Sequence, residues 1–180
     1  MFKEKLETKD LILRKAKKED AYPLFKNYWS DKVTAKYMLW KPLENLEEAK
    51  EKMRKTIEFE KNKPCYIVVE KKSNEVIGMI GFIEISDGVF DDCGIGFGTK
   101  FTHLGYGTQI LQEMLRYLFE ECNAKTVLCG AMEQNIPSIK LQEKCGFKFF
   151  DKVEKVRDYD NFKYTNLISK ITTEDYYNLK

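Results

Sequence analysis

The sequence changes its apolar periodicity near residue 100, and this change constrains the fold more than any other feature. Before it, turn sequences separate three apolar, β-branched segments, which predict strands at 65–70, 76–85 and 93–98. Beyond it, apolar residues recur on one helical face over 105–121. An antiparallel meander that passes into alternating helices and strands favours one mixed sheet with flanking helices.

The remaining segments complete this pattern. Helices are predicted at 18–29, 46–61 and 137–145, and strands near 6–15 and at 126–131, 147–156 and 162–172. The order β-α-α-β-β-β-α-β-α-β-β indicates an α/β (α+β) architecture with a mixed central sheet of about seven strands. No repeat, low-complexity tract or linker interrupts it, so residues 1–180 are predicted to form a single domain.

Composition excludes several classes of protein. A chain with 43% hydrophobic and 33% charged residues is not mostly disordered. The balance of 31 basic and 29 acidic residues argues against a dedicated nucleic-acid binder and gives no general attraction to a membrane surface. The N-terminus lacks the apolar stretch of a signal peptide, so we expect a cytoplasmic protein.

The cysteines predict neither a disulfide framework nor a metal site. Five are present, an odd number, and no CxxC pair occurs. His103 is the single histidine, so a structural zinc site is not expected. We interpret the cysteines as buried or partly buried thiols in a reducing cytosol.

Residues 102–108 form a glycine-bearing turn before the predicted 105–121 helix. Gly105 and Gly107 let the backbone turn tightly and approach a ligand closely. The helix start presents unpaired N–H groups and the positive end of the helix dipole, which suit a diphosphate. Taken alone, the turn is equally typical of an ordinary strand–helix connection.

A second segment, 135–147, has an adequate structural explanation as a short helix. Asn135 forms the turn, Pro137 lies in the first helical turn and Gly146 follows the last, with Ser138 an incidental hydroxyl. This explanation leaves open why the segment follows the glycine turn by about one βα unit.

Four segments together resemble the GCN5-related N-acetyltransferases, of the branch that includes the ribosomal-protein N-terminal acetyltransferases (RimJ/RimL type). Residues 6–14 resemble its opening L-x-T-x-x-L-x-L-R, and 94–97 resemble its fourth-strand E-I-G-Y. Residues 102–107 resemble Q/R-x-x-G-x-G/A, and 135–147 resemble N-x-x-S-x-x-x-L-x-K-x-G-F. The matches occur in order and at suitable spacing along most of the chain.

The resemblance implies the fold of that family, acetyl-CoA as co-substrate, no metal, and a primary amine as acceptor. The acceptor would be a small-molecule amine or a peptide or protein N-terminus, and the protein a monomer or homodimer. It also implies that the fourth and fifth strands separate to form the slot where donor and acceptor meet. The expected cofactor-binding residues are Ile95, Gly96, Phe97, His103, Leu104, Gly105, Tyr106, Gly107, Thr108, Asn135 and Ser138.

Roles within this set also come from the resemblance. The backbone of 95–97 would pair with the pantetheine arm, and the N–H groups of the glycine turn would hold the pyrophosphate. Asn135 would hydrogen-bond the pantetheine, and Ser138 would lie near the sulfur, where it could protonate the leaving thiolate.

Three positions depart from the family pattern. Thr102 replaces the usual Gln or Arg and removes a side-chain donor, but it leaves the backbone cradle. Gln142 stands where many relatives outside this branch have a tyrosine acid, which favours Ser138 for that role. Gly94 stands where the branch often has a glutamate, which removes the most obvious base.

The chemistry still requires a base, because an alkyl ammonium has a pKa near 10 and only the neutral amine attacks a thioester. Asp92 shares the strand face of Gly94 by the period of two. Glu84 would lie opposite 93–94 if the hairpin turned near 88–89. Either carboxylate could act through a water, and the alternative for each is a solvated or acceptor-binding group.

Acceptor selectivity is expected from the 30–42 loop and the C-terminal strands. Five aromatic residues could wall a pocket, and Tyr37, Trp40 and Tyr164 are the expected substrate-binding residues, beside Trp29 and Tyr159. The alternative is that these aromatic side chains belong to the core.

Two functions from different classes remain open on the sequence. The first is an acetyl-CoA-dependent N-acetyltransferase with Ser138 and Asp92 or Glu84 as catalytic residues. The second is a non-catalytic acyl-CoA-binding or regulatory module that kept the cradle and, with Gly94, lost the base.

Overall fold

The computed structural model describes residues 2–180 and contains one eight-stranded sheet. The strands are β1 (Lys5–Glu7), β2 (Leu11–Arg14), β3 (Cys65–Glu70), β4 (Val76–Ser86), β5 (Val89–Phe97), β6 (Thr126–Met132), β7 (Lys148–Arg157) and β8 (Phe162–Thr172). They lie in the order β1-β2-β3-β4-β5-β6-β8-β7. β5 and β6 are parallel and the other neighbours are antiparallel, which confirms the predicted mixed sheet.

The sheet has one strand more than predicted because the 6–15 segment folds into a hairpin of β1 and β2. Lys5 pairs with Arg14 across this hairpin. Thr8 forms the turn: its N–H donates to the Leu11 carbonyl at 2.9 Å, and its hydroxyl accepts from the Leu11 N–H at 3.0 Å. A threonine whose side chain accepts from the backbone N–H three residues later favours a turn over a continuous strand.

The helices are α1 (Ala21–Leu24), α2 (Lys32–Ala35), α3 (Leu46–Glu60), α4 (Tyr106–Glu121), α5 (Ile136–Lys144) and α6 (Thr173–Asn178). The predicted 18–29 helix is composite, because a 3₁₀ turn precedes α1 and a π turn follows it. The short helices α2 and α6 were not predicted from the sequence. None of the helices within residues 2–180 is long and apolar enough to cross a membrane.

The predicted meander of β3, β4 and β5 is confirmed, with one change in its last strand. β5 begins at Val89 rather than at Cys93, because the turn before it is confined to Asp87 and Gly88. Gly88 adopts φ +70°, a conformation that glycine reaches without strain and that lets the strands pair immediately beyond it.

Apolar side chains cover both faces of the sheet. Along β3, Tyr66 and Val68 belong to the core beneath α4, whereas Ile67 and Val69 belong to the core beneath α1 and α3. This alternation follows from the period of two in a strand. The site residues therefore lie in a sheet that is held by helices on both sides.

Candidate active site

The parallel pairing of β5 with β6 stops soon after it starts. It runs from Val89 to Asp91 of β5, although β5 continues to Phe97. β6 instead stays paired with β8 along its whole length. The two strands therefore separate, and a cavity of about 580 Å³ opens between them, walled on one side by α3 and by the 37–40 loop.

A bulge at Cys93 shapes the cavity side of β5. Gly94 pairs with Gly81 of β4 and Asp92 pairs with Phe82, so Cys93 is the extra residue. Gly94 adopts φ +135°, and a Cβ built on it would meet no atom within 4 Å. Asp92 and Gly94 therefore pair with adjacent residues of β4, and the expectation that they share a strand face is wrong, because the bulge breaks the period of two between them.

Asp92 spans the gap between the two strands. Its carboxylate accepts a hydrogen bond from the Gly130 N–H of β6 at 2.6 Å. Burial raises the pKa of Asp92 to about 6, and burial also raises the pKa of its neighbour Asp91. Both residues line the cavity. A carboxylate that titrates close to neutral pH is suited to accept a proton.

The position predicted for Glu84 is wrong. The β4–β5 register puts Glu84 opposite Phe90, because the turn lies at 87–88 rather than near 88–89. Its carboxylate accepts from the Gly88 N–H at 2.9 Å, and the exposed side chain is outside the cavity lining. Glu84 therefore stabilises the turn, and Gly81 occupies the position opposite Gly94.

Hydrogen bonds connect α5 to this gap. Asn135 caps the helix by accepting from the Ser138 N–H at 3.3 Å. Gln142 donates from Nε2 to the Ser138 hydroxyl and to the Gly130 carbonyl, each at 3.3 Å. Gly130 in turn donates to Asp92, so the network reaches from Asp92 to Ser138. Because Ser138 Oγ accepts from Gln142, its own proton is free to be donated.

The start of α4 presents backbone N–H groups. Gly105 is the N-cap with φ +77°, and the Gln109 N–H donates to its carbonyl. The N–H groups of 106–108 precede this bond and lie in the first turn, which has no carbonyl to receive them. A Cβ on Gly107 would lie 3.1 Å from Cδ2 of Leu141 in α5, so glycine keeps the backbone close to that helix.

The side chains of the glycine turn point elsewhere. His103 and Leu104 are exposed in the turn before α4. The Tyr106 hydroxyl donates to the Glu70 carboxylate of β3 at 2.6 Å. What this segment offers to a ligand is therefore its backbone.

Four of the five aromatic residues proposed for the acceptor pocket line the cavity: Trp29, Tyr37, Trp40 and Tyr164. Trp29 is also fully buried in the core beneath α3, so it serves both purposes. Tyr159 is outside the cavity lining, because its ring packs against the guanidinium of Arg157 at 4.5 Å.

All five cysteines are free thiols. Cys93 is exposed, which corrects the expectation that every thiol is at least partly buried. The Sγ atoms of Cys65 and Cys93 are 3.5 Å apart at the cavity wall. Across residues 2–180, no cluster of three or more His, Cys, Asp or Glu residues is arranged to hold a metal ion.

Three residues of the site were missed as such on the sequence. Gln142 was noted only as a departure, although its spacing of four from Ser138 on a helix puts the two side chains together. Gly130 and Lys52 line the cavity themselves, whereas Gln142 reaches the site through its hydrogen bonds to Ser138 and Gly130. Lys52 directly precedes Met53, which belongs to the apolar stripe of α3. This position beside the buried face is only a weak indication that the lysine points toward a cavity.

Comparisons with known proteins agree on one family. Residues 10–148 match the model of the acetyltransferase (GNAT) domain. The chain is 30% identical over 163 residues to N-acetyltransferase p20 of Bacillus licheniformis, itself uncharacterized, and the match covers 89% of each.

Solved structures share the fold. One is spermidine N-acetyltransferase from Vibrio cholerae in complex with CoA and spermine, 19% identical with a TM-score of 0.77 over 94% of this chain and 99% of the other. Another is ribosomal-protein-S5-alanine acetyltransferase from Vibrio fischeri, 15% identical with a TM-score of 0.75 over 96% and 98%.

We expect Asp92→Asn to change the pH dependence of stability. The folded pKa of about 6 lies above the unfolded value of about 3.9, so the folded wild type holds the extra proton between them. The stability linked to this proton is fully present below about pH 4 and is lost as pH rises through about 6. Asparagine does not ionise, so the variant does not lose this stability as pH rises. Its unfolding free energy relative to wild type should therefore rise by about 2–3 kcal/mol between about pH 4 and 7, measured by urea unfolding.

Asp87→Asn is the matched control of opposite sign. Lys125 lowers the pKa of the exposed Asp87, so wild type gains stability as that carboxyl ionises and the variant should fall behind as pH rises. A difference between Asp92→Asn and wild type that stays constant with pH would contradict the raised pKa of Asp92.

Proposed function

The chain belongs to the GNAT acetyltransferase family and is an acetyl-CoA-dependent acyltransferase, and we propose that its acceptor is a primary amine. The Asp92 carboxylate carries this proposal. It is desolvated, has a pKa of about 6, and lies where β5 and β6 separate. A group that can accept a proton at this point meets the main requirement of amine acetylation.

The residues of the cavity fit the co-substrate. Acetyl-CoA supplies an acetyl group on a thioester, whose thiolate is a fair leaving group. The N–H groups of residues 104–108 would hold its pyrophosphate at the start of α4. The edge of β5 at 95–97 that faces β6 would pair with its amide-bearing arm. The side-chain amide of Asn135 uses its oxygen on Ser138, which leaves its NH₂ for the same arm.

Asp92 would act as the base, directly or through one water. The acceptor ammonium has a pKa of about 10, so a nearby proton acceptor is needed at neutral pH. With a pKa of about 6, Asp92 is mostly ionised at neutral pH and is a stronger base than an ordinary aspartate. Glu84 is no longer a candidate, because it stabilises the β4–β5 turn.

Ser138 would supply the proton to the departing thiolate. Gln142 fixes its hydroxyl by donating to it, which orients the free proton away from Gln142. The amide N–H of Ile95 or Phe97 would donate to the oxygen on which negative charge develops, as a preorganised backbone donor does in acyl transfer.

For the acceptor we propose a peptide N-terminus or a small amine, in line with the RimJ/RimL-type resemblance. Proteins of this fold include a spermidine N-acetyltransferase and a ribosomal-protein-S5-alanine acetyltransferase, so the fold serves both kinds of acceptor. Tyr37, Trp40 and Tyr164 would wall the acceptor side. We also propose a single-domain enzyme, monomeric or homodimeric; its free thiols fit the cytoplasm.

Thiol release from acetyl-CoA over an amine panel tests the proposed reaction. The panel contains polyamines, amino acids and peptides that begin with Ser or Ala, each paired with a control in which every amine is acetylated. We expect turnover with at least one free amine and none with its blocked partner. Cofactor binding without thiol release for every amine would instead support the non-catalytic module.

We expect Gly107→Glu to abolish the rise in melting temperature that acetyl-CoA gives to wild type. The added carboxylate would stand among the N–H groups at the start of α4 and repel the diphosphate. Gly107→Gln is the control, because it meets the same Leu141 side chain without the charge. An undiminished shift in Gly107→Glu would put the cofactor elsewhere, and equal losses in both variants would assign the effect to crowding.

We expect Ser138→Ala to lower kcat by ~10²-fold, the low end for general acid catalysis, with little change in CoA affinity. The helix cap is the Asn135 side chain rather than the Ser138 hydroxyl, so the melting temperature should hold. Asn135→Ala is the contrasting variant and should cost about 1 kcal/mol of stability. Near-normal kcat in Ser138→Ala with a lowered melting temperature would assign Ser138 to the fold and leave water as the proton source.

A further inference from the structure

One basic residue of α3 has no counterion. Lys50 pairs with Glu47, and Arg54 and Lys55 both pair with Glu51. Among the described residues 2–180, no carboxylate forms an ion pair with Lys52. Lys52 and Lys55 both line the cavity, but Lys55 is ion-paired with Glu51, so Lys52 is the lysine of α3 that faces the cavity without a counterion.

Lys52 is held between two indole rings. Its Nζ lies 5.2 Å from the centroid of Trp29 and 4.3 Å from that of Trp40. Burial lowers the pKa of Lys52 to about 8, so the side chain is still mostly cationic at neutral pH. The ring faces offset part of the lost hydration, but they provide no hydrogen-bond acceptor for the three N–H donors of an ammonium.

We infer that Lys52 binds an anionic group, a carboxylate or a phosphate, on the amine acceptor. The inference rests on the proposed function and specifies its substrate class. A half-buried ammonium without an anionic partner gains from a ligand that supplies one, because charge-assisted hydrogen bonds are the strong ones in a partly desolvated site. The acceptor is then an amine that also carries a negative charge.

The distribution of charge along the cavity supports a bipolar ligand. Glu60 also lines the cavity, at the other end of α3, about 12 Å along the helix axis from Lys52. Asp91 and Asp92 line it on β5. Lys55 and Lys155 line the cavity too, but Lys55 pairs with Glu51 and the charge of Lys155 acts on Asp91. The carboxylates near the separated strands suit the amine of the acceptor, and Lys52, which has no such partner, suits a group of opposite sign. A polyamine suits this cavity less well, because one of its ammonium groups would lie close to the ammonium of Lys52.

Matched acceptors test the inference. The pairs are γ-aminobutyrate with its amide, phosphoethanolamine with ethanolamine, and an alanine-initiated peptide containing aspartate with the same peptide containing asparagine. Each pair keeps the amine and changes the charge, and the first two separate carboxylate from phosphate. The proteins are wild type, Lys52→Met and Lys50→Met, the last as a control that removes a solvent-facing, ion-paired lysine of the same helix.

In wild type and in Lys50→Met, kcat/KM for the charged member of at least one pair should exceed that of its neutral partner by about tenfold or more, mainly through KM. In Lys52→Met the ratio should fall to about one, because the charged member loses its advantage in KM over the neutral partner measured with the same variant. Equal rates within every pair in wild type, or a ratio that persists in Lys52→Met, would overturn the inference and leave amine acetylation intact.

Binding can be measured without turnover, because the two tryptophans of the chain are the residues that flank Lys52. The charged probes should change tryptophan fluorescence in wild type and Lys50→Met, but not in Lys52→Met. If no amine is acetylated and this fluorescence response is still present, the proposed reaction fails and the anion site stands. If the charged and neutral probes give the same response in all three proteins, the anion site is wrong.

Discussion

The separation of β5 from β6 after Asp91 determines where every other part of the site lies. Backbone groups that leave a sheet need new partners, because an unsatisfied buried group costs about 1–3 kcal/mol. Asp92 provides one partner by accepting from the Gly130 N–H, and Gln142 provides another by donating to the Gly130 carbonyl. The side chains that keep the strands apart are therefore those that prepare the site, and the facing edge of 94–97 stays open to a ligand chain.

The bulge that aims Asp92 into this gap depends on glycines in two strands. A Cβ on Gly81 would lie 2.7 Å from the Sγ atoms of both Cys65 and Cys93, so any larger residue would collide with the side chain of the bulged position. Gly94 adopts φ +135°, which is strained for other residues. This gives a physical reason for Gly94 in place of a glutamate. Space is available for a side chain at this position, but the backbone conformation beside the bulge would be strained in any residue other than glycine.

Local patterns predicted most of the fold, and the failures came from the exact position of a turn, from a short-range side-chain contact and, for Lys52, from segments distant in the sequence. Helical periodicity and the Asn45 cap located α3 well, because these signals lie within the element itself. The predicted position of Glu84 was wrong because the register of two paired strands depends on which two residues form the turn between them. The prediction that Tyr159 lines the pocket was wrong because its ring packs against the guanidinium of Arg157. Lys52 could not be recognised, since its environment comes from two indoles on other segments.

The gap between β5 and β6 also joins the two faces of the sheet. α4, with the N–H groups at its start, packs on one face, and α3, with Lys52, packs on the other. In a continuous sheet, groups bound on opposite faces would be separated by about the thickness of the backbone layer and its side chains. Where pairing stops, Asp92 and Ser138 can border the same cavity as α3. The proposed acceptor side on α3 and the proposed donor cradle on α4 therefore lie on opposite faces of the sheet, so we expect substitutions on α3 to affect the acceptor and leave the backbone at the start of α4 undisturbed.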